Sequence, residues 1–104
     1  MSIIISVLND ELDRNRRTQE AYKEELDKYS KGSIVLKKRR NVDYLYLAYR
    51  DSLNKIKTDY IGSSNHPRVN EIKEQLCKRS EIVEILKKLK IEESKIKKMI
   101  KNDQ

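Results

Sequence analysis

The stretch GSIVLKKRRNVDYLYLAYRDSLNKIKTDYIG, residues 32 to 62, decides the fold of this 104-residue chain. Three strand-like runs, GSIVLKKRR, DYLYLAYRD and KIKTDYIG, follow one another across short polar breaks and together hold four of the six tyrosines. In the middle run Leu45, Leu47 and Tyr49 alternate with Tyr44, Tyr46, Ala48 and Arg50, which is the period-two pattern of a strand with unlike faces. Setting Ile34 and Leu36 from the first run, and Ile56 and Tyr60 from the third, beside Leu45, Leu47 and Tyr49 gives one apolar face. The opposite face then collects Lys37, Arg39, Tyr44, Tyr46, Arg50, Lys55, Lys57 and Asp59. Arg40-Asn41-Val42 and Asp51-Ser52-Leu53-Asn54 read as turns. The expectation is an antiparallel three-stranded meander, about the smallest sheet that is stable when helices cover one face.

The flanks read as helices. From Ile5 the positions Ile5, Leu8, Leu12, Asn15, Gln19, Tyr22, Leu26 and Tyr29 step alternately by three and four, a heptad seam interrupted by two polar residues of the kind that set register. This predicts a helix over residues 3 to 30, stopped by Gly32. Ser63, Ser64, Asn65 and Pro67 read as a cap and first turn. The seam that follows runs Val69, Ile72, Leu76, Arg79, Val83, Leu86 and Leu89, slips near Lys90, and resumes at Ile96, Met99 and Ile100. Either one helix covers residues 67 to 101 with a stutter or it breaks at Lys90-Ile91, and the lack of a glycine favours the continuous form. Arg79 is expected near Asn15 and Gln19, or opposite its own copy.

Composition narrows the class. The chain is 39% charged, 37% hydrophobic, and has no Trp or Phe, so one small domain has little core of its own and self-association is expected to supply part of its stability. Its net charge of +7 is uneven: residues 32 to 62 hold seven basic and three acidic side chains, whereas residues 1 to 31 hold six and seven. Such a surface attracts polyanions without naming them. The single cysteine, Cys77, excludes a disulfide framework and reads as a small apolar helix residue in a reducing cytoplasm. The apolar start from Ile3 to Leu8 is too short to span a membrane and runs directly into Asp10, Glu11 and Asp13.

Signs of catalysis are few. There is no cysteine pair at metal spacing, no phosphate-cradling glycine loop and no nucleophile elbow, and His66 beside Pro67 reads as a helix-start residue. Asp43 and Asp51 stand at opposite ends of one strand, roughly 25 Å apart, too far to share a metal. No catalytic residue, metal or cofactor is expected. A helix-turn-helix within EIVEILKKLKIEESKIKKMIK would need a small residue where Leu86 stands and a turn glycine where Lys90 stands, so a continuous helix explains it better.

The elements EAYKEELDKYSKGSI, DYLYLAYRD, KIKTDYIG and IKEQLCKR, spread from Glu20 to Met99, resemble a family of short, uncharacterised bacterial and phage-borne proteins with a basic helix, a tyrosine-rich sheet and a second long helix. That family's pattern favours proline where Ser30 stands. The run from YLYLAYR to KIKTDYIG is also similar to small sheets near the N-termini of some transposases and recombinases that touch DNA.

The resulting expectation is an α+β protein of one domain: helix, three-stranded antiparallel meander and long C-terminal helix with coiled-coil-like packing. Its expected role is that of a non-enzymatic nucleic-acid-binding accessory protein. Tyr44 and Tyr46 would stack on bases, and Lys37, Arg39, Arg50, Lys55 and Lys57 would meet phosphates. The alternative is a protein-interaction module, such as an inhibitor of a nuclease or defence enzyme encoded by a phage or mobile element. Its helices or basic face would then engage an acidic protein surface. Uncovered seam residues such as Ile3, Ile4, Leu76 and Ile82 would favour that alternative.

Overall fold

The computed structural model describes residues 2 to 103. Its elements follow the order α1 (Ile3–Leu26), β1 (Ser33–Arg39), β2 (Val42–Arg50), β3 (Ile56–Ser63) and α2 (Pro67–Asp103). The fold is α+β, with an antiparallel sheet in the order β1-β2-β3 and with α2 packing against α1. The chain divides into two compact units: one comprises residues up to Lys28 and from Glu81 onward, the other Tyr29–Ser80.

In the helical unit, Ser2 caps α1 by accepting a hydrogen bond from the Ile5 amide, 3.1 Å from its Oγ. The seam along α1 is real: Leu12, Asn15 and Gln19 are buried, and Ile5, Leu8, Tyr22 and Leu26 are half-buried. On α2 the inward positions are Ile82, Leu86, Leu89, Glu93, Ile96 and Ile100, all buried or half-buried. Taken in that phase the steps are four, three, four, three, four. The slip near Lys90 therefore disappears, because Ile82 leads the seam instead of Val83 and Glu93 fills the position that looked empty. The helix is unbroken through Lys90, and no helix-turn-helix forms there.

Asn15 and Gln19 form a polar layer in this seam. Asn15 Nδ2 donates to the Leu89 carbonyl at 3.0 Å, and Gln19 Nε2 donates to Asn15 Oδ1 at 2.7 Å. Arg16 Nε reaches Glu93 Oε2 at 3.1 Å. That ion pair, together with Gln19 and Lys97, holds the Glu93 carboxyl below its ordinary value against the desolvation that opposes it. Arg79, expected near Asn15 and Gln19, belongs to the other unit, where its Nη1 donates to the Tyr29 carbonyl at 3.3 Å.

In the sheet unit, α1 has ended earlier than the periodicity implied, at Leu26 rather than residue 30. Gly32 is not its stop. With φ +115° it opens β1, where a Cβ would collide with the Ala48 carbonyl. The intervening segment is tied to α2, since Gln75 Oε1 accepts from the Ser30 amide at 3.1 Å and from its hydroxyl at 2.7 Å. Leu45, Ile61 and Val69 form the buried core, with Ile34, Leu47 and Ile72 packed around them. The helix cap is His66, not a serine: its Nδ1 accepts from the Arg68 amide at 3.1 Å.

Register decides which residues share each face. Ile34 pairs with Leu47 and Leu36 with Leu45, as the alternation requires. Between β2 and β3, Leu45 pairs with Gly62 but Tyr46 pairs with Tyr60, so Ile61 is the extra residue of a β-bulge. Ile61 enters the core while Tyr60 stands on the Tyr46 face. Ile56 and Tyr60 therefore do not belong to the apolar face, and Lys57 and Asp59 do not belong to the tyrosine face.

Candidate nucleic-acid interface

The face of the sheet away from the core carries Lys37 and Arg39 from β1, Tyr44, Tyr46 and Arg50 from β2, and Ile56, Thr58 and Tyr60 from β3. Lys37 pairs with Tyr44 across the strands, and its Nζ sits 4.8 Å above the centroid of the Tyr46 ring, a cation–π contact. Tyr60 is the hub of the aromatic cluster. Its centroid lies 5.4 Å from Tyr46 with the rings tilted by 58°, and 6.1 Å from Tyr44 with a tilt of 50°. The cluster is therefore a tilted group of rings rather than a row of parallel plates.

The β1–β2 tip is a two-residue turn. Arg40 and Asn41 have φ of 49° and 67°, the left-handed pair that a type I′ hairpin requires and whose twist suits the flanking strands. This geometry brings a second guanidinium beside Arg39. Arg39, Arg40, Tyr44, Tyr46 and Tyr60 together line an open depression of about 540 Å³.

The remaining expected cations do not converge on it. Arg50 shares the face but lies at its far end, where Nη1 donates to the Asn54 carbonyl at 3.1 Å. Lys55 belongs to the β2–β3 turn, outside the strands. There Asp51 Oδ1 accepts from the Leu53 and Lys55 amides, each at 2.9 Å, and Asn54 adopts φ 62°. Lys57 faces the opposite way, with Nζ 3.6 Å from the Asp51 carboxylate. The tyrosine-face assignment of Lys57 is thus corrected by the turn length, which pairs Arg50 with Ile56 and fixes the parity of β3.

Two residues of this surface, Arg40 and Tyr60, were absent from the sequence-derived set. The two-residue spacing between Arg39 and Val42 carried a signal for Arg40. Tyr60 was hidden, with Ile56, by the register of β3, which the turn sets. Tyr49 belongs to the other face, where a hydrogen bond with Asp59, followed by desolvation and the nearby Asp59 and Asp51 charges, pushes its phenol up. The acidic residues do not assemble a centre: among the described residues, no three His, Cys, Asp or Glu side chains are grouped to hold a metal ion. No helix among the described residues is long and apolar enough to cross a membrane. Compared with family models, with curated proteins and with solved structures, the chain matches none, and no family is identified for it.

Proposed function

We propose that this is a non-enzymatic nucleic-acid-binding accessory protein that receives single-stranded nucleic acid on the tyrosine face of its sheet. The observation that carries the reading is the joint placement of Tyr44, Tyr46 and Tyr60 with Lys37, Arg39 and Arg40 on one solvent-facing surface. Aromatic rings on a sheet offer apolar faces to unstacked bases, and flanking cations neutralise the phosphates that connect them. Arg50 extends the same surface, whereas Lys55 and Lys57 contribute only to the general positive field.

The test is binding of the purified protein to labelled single-stranded and duplex oligonucleotides over a salt series. Saturable binding to the single strand that persists near physiological salt, and that falls when Tyr44 and Tyr46 are both changed to alanine, supports the reading. Weak binding that vanishes as salt rises, with no tyrosine dependence, rejects it.

A second reading, a protein-interaction module or an inhibitor of a nuclease or defence enzyme, draws on the helical unit. Ile3 and Ile4 are 83% and 63% exposed, and Val7 and Met99 are also uncovered, which favours a partner or a second copy of the chain. Leu76 is half-buried and Ile82 is buried, so of the four seam residues expected to mark a partner surface only Ile3 and Ile4 are bare.

A further inference from the structure

We propose that the depression beside the β1–β2 tip is a single-nucleotide subsite, in which Arg39 and Arg40 hold a phosphodiester and the ring of Tyr60 takes the attached base. The inference rests on the nucleic-acid reading above and assigns it to one pocket rather than to the whole face.

The three tyrosines are not equivalent. Tyr44 and Tyr46 are half-buried, and Tyr46 has the Lys37 ammonium over its ring. Tyr60 is 52% exposed, and Tyr44 and Tyr46 brace its ring from the β2 side. The stacking surface offered to solvent is therefore that of Tyr60, while Tyr44 and Tyr46 hold it in place. A base can lie on it only when splayed out of a duplex.

The two arginines reach the same depression from different parts of the hairpin, Arg39 from the end of β1 and Arg40 from the turn. Its described lining contains no acidic side chain, and neither guanidinium is in an ion pair among the described residues. Guanidiniums present planar forks of donors that suit phosphate oxygens, and the depression's volume lies within the range of sites for small organic ligands. An anion with an attached flat ring uses both halves of the pocket; an isolated carboxylate would use only one.

Arg40 adds an independent indication. It occupies the left-handed region, at φ 49°, in a turn position where asparagine, aspartate or glycine would be easier. Backbone strain of this kind is found where a side chain is needed in a particular place. Glycine at this position would relax the turn while removing the guanidinium, so a structural role and a ligand role for Arg40 predict opposite results.

The experiment measures fluorescence anisotropy of 3′-labelled oligothymidylate and oligouridylate twelve-mers with the full chain and with Arg40→Gly, Tyr60→Leu and Lys38→Ala. Each variant's urea midpoint is measured alongside. Lys38 lies next to the same turn but on the opposite face and serves as the charge control. The expected result is a loss of about tenfold or more for Arg40→Gly, with an unchanged or higher urea midpoint. Tyr60→Leu should lose at least about fivefold, and Lys38→Ala less than about threefold. Equal losses with both oligonucleotides support a phosphodiester common to DNA and RNA, whereas a larger loss with oligouridylate supports the same subsite on RNA. If the wild-type chain binds but Arg40→Gly weakens it no more than Lys38→Ala does, the subsite is overturned and the broader sheet-face reading stands. If the wild-type chain binds neither oligonucleotide, both readings fall.

Discussion

Tyr60 and Tyr46 stand opposite each other across β3 and β2, with ring centroids 5.4 Å apart, in the register that the Arg50–Ile56 pairing sets at the turn. The extra residue, Ile61, shifts the pairing only beyond Tyr60, so that Gly62 rather than Ile61 lies opposite Leu45. The turn thus sets the aromatic surface, and the core beside it is completed at the bulge. Its inward member, Ile61, is only 3% exposed and lies with Leu45 and Val69.

Ile61→Ala should therefore cost about 2 to 4 kcal/mol, through lost transfer energy and the cavity left behind. Ile56, in the same strand but 66% exposed, should tolerate Ser within about 0.5 kcal/mol. Urea denaturation of the two variants checks the pair. Similar losses for both would contradict the parity of β3.

Gly32→Ala should be more damaging than its exposed position implies. The added methyl meets the Ala48 carbonyl, which is fixed in the β1–β2 ladder, and φ +115° is poorly accessible to any residue with a Cβ. A loss of about 2 kcal/mol or more is expected from the combined strain and collision. Circular dichroism melting of Gly32→Ala against Ser33→Ala measures it, and a melting temperature shared with the serine variant would show that the backbone gives way freely.

In the helical unit, Asn15 is 3% exposed, and its amide joins Gln19 to the Leu89 carbonyl. Asn15→Ala removes the link and leaves a buried Gln19 donor without its acceptor. The expected cost is about 1 to 3 kcal/mol, above that of a typical exposed polar-to-alanine change. Chemical denaturation followed by helical ellipticity provides the comparison, with Thr18→Ala as a reference whose hydroxyl bonds only the Arg14 carbonyl on its own helix.

The legible parts of the structure were those governed by uninterrupted periodicity. The α1 seam from Ile5 to Leu26 and the alternation of β2 both follow from side chains that must leave water together. The α2 phase was harder, because Ile82 and Val83 are neighbours and offer two starting points. Glu93 concealed the correct one: a carboxylate fits a seam only when Arg16 and Gln19 meet it from another helix, which the local pattern does not reveal. The same limitation hid Tyr60, since the parity of β3 is set by where it meets its partner strand across the turn. Lys37, Arg39, Tyr44 and Tyr46 were legible because β1 and β2 keep their alternation without a break.

The uncovered start of α1 should be visible in solution as self-association or adsorption to an apolar probe. Replacing Ile3 and Ile4 by serine is expected to leave the thermal midpoint nearly unchanged, because both are largely exposed, while lowering the average mass measured by light scattering at high protein concentration. An average mass equal to one chain at every concentration for the unaltered protein would rule out a second copy as the cover.

Acid should loosen the helical unit through Glu93. Its carboxyl is held below the ordinary value of 4.5, first by the hydrogen bond from Arg16, with Gln19, Lys97 and the Arg16 charge acting in the same direction and desolvation opposing them. A group whose folded value is depressed contributes stability above its unfolded value, and that contribution is lost as pH falls through the folded value. Stability should therefore be insensitive to this group between pH 7 and about 5, then decline below about 4.5 as the unfolded state takes up the proton more readily. Glu93→Gln, which cannot ionise, removes this component, so the difference in urea midpoint between wild type and variant should shrink as the solution is acidified. A difference that stays constant from pH 7 to pH 3 would mean that the Arg16–Glu93 pair, 3.1 Å long and partly open to water, is screened too well to be linked to folding.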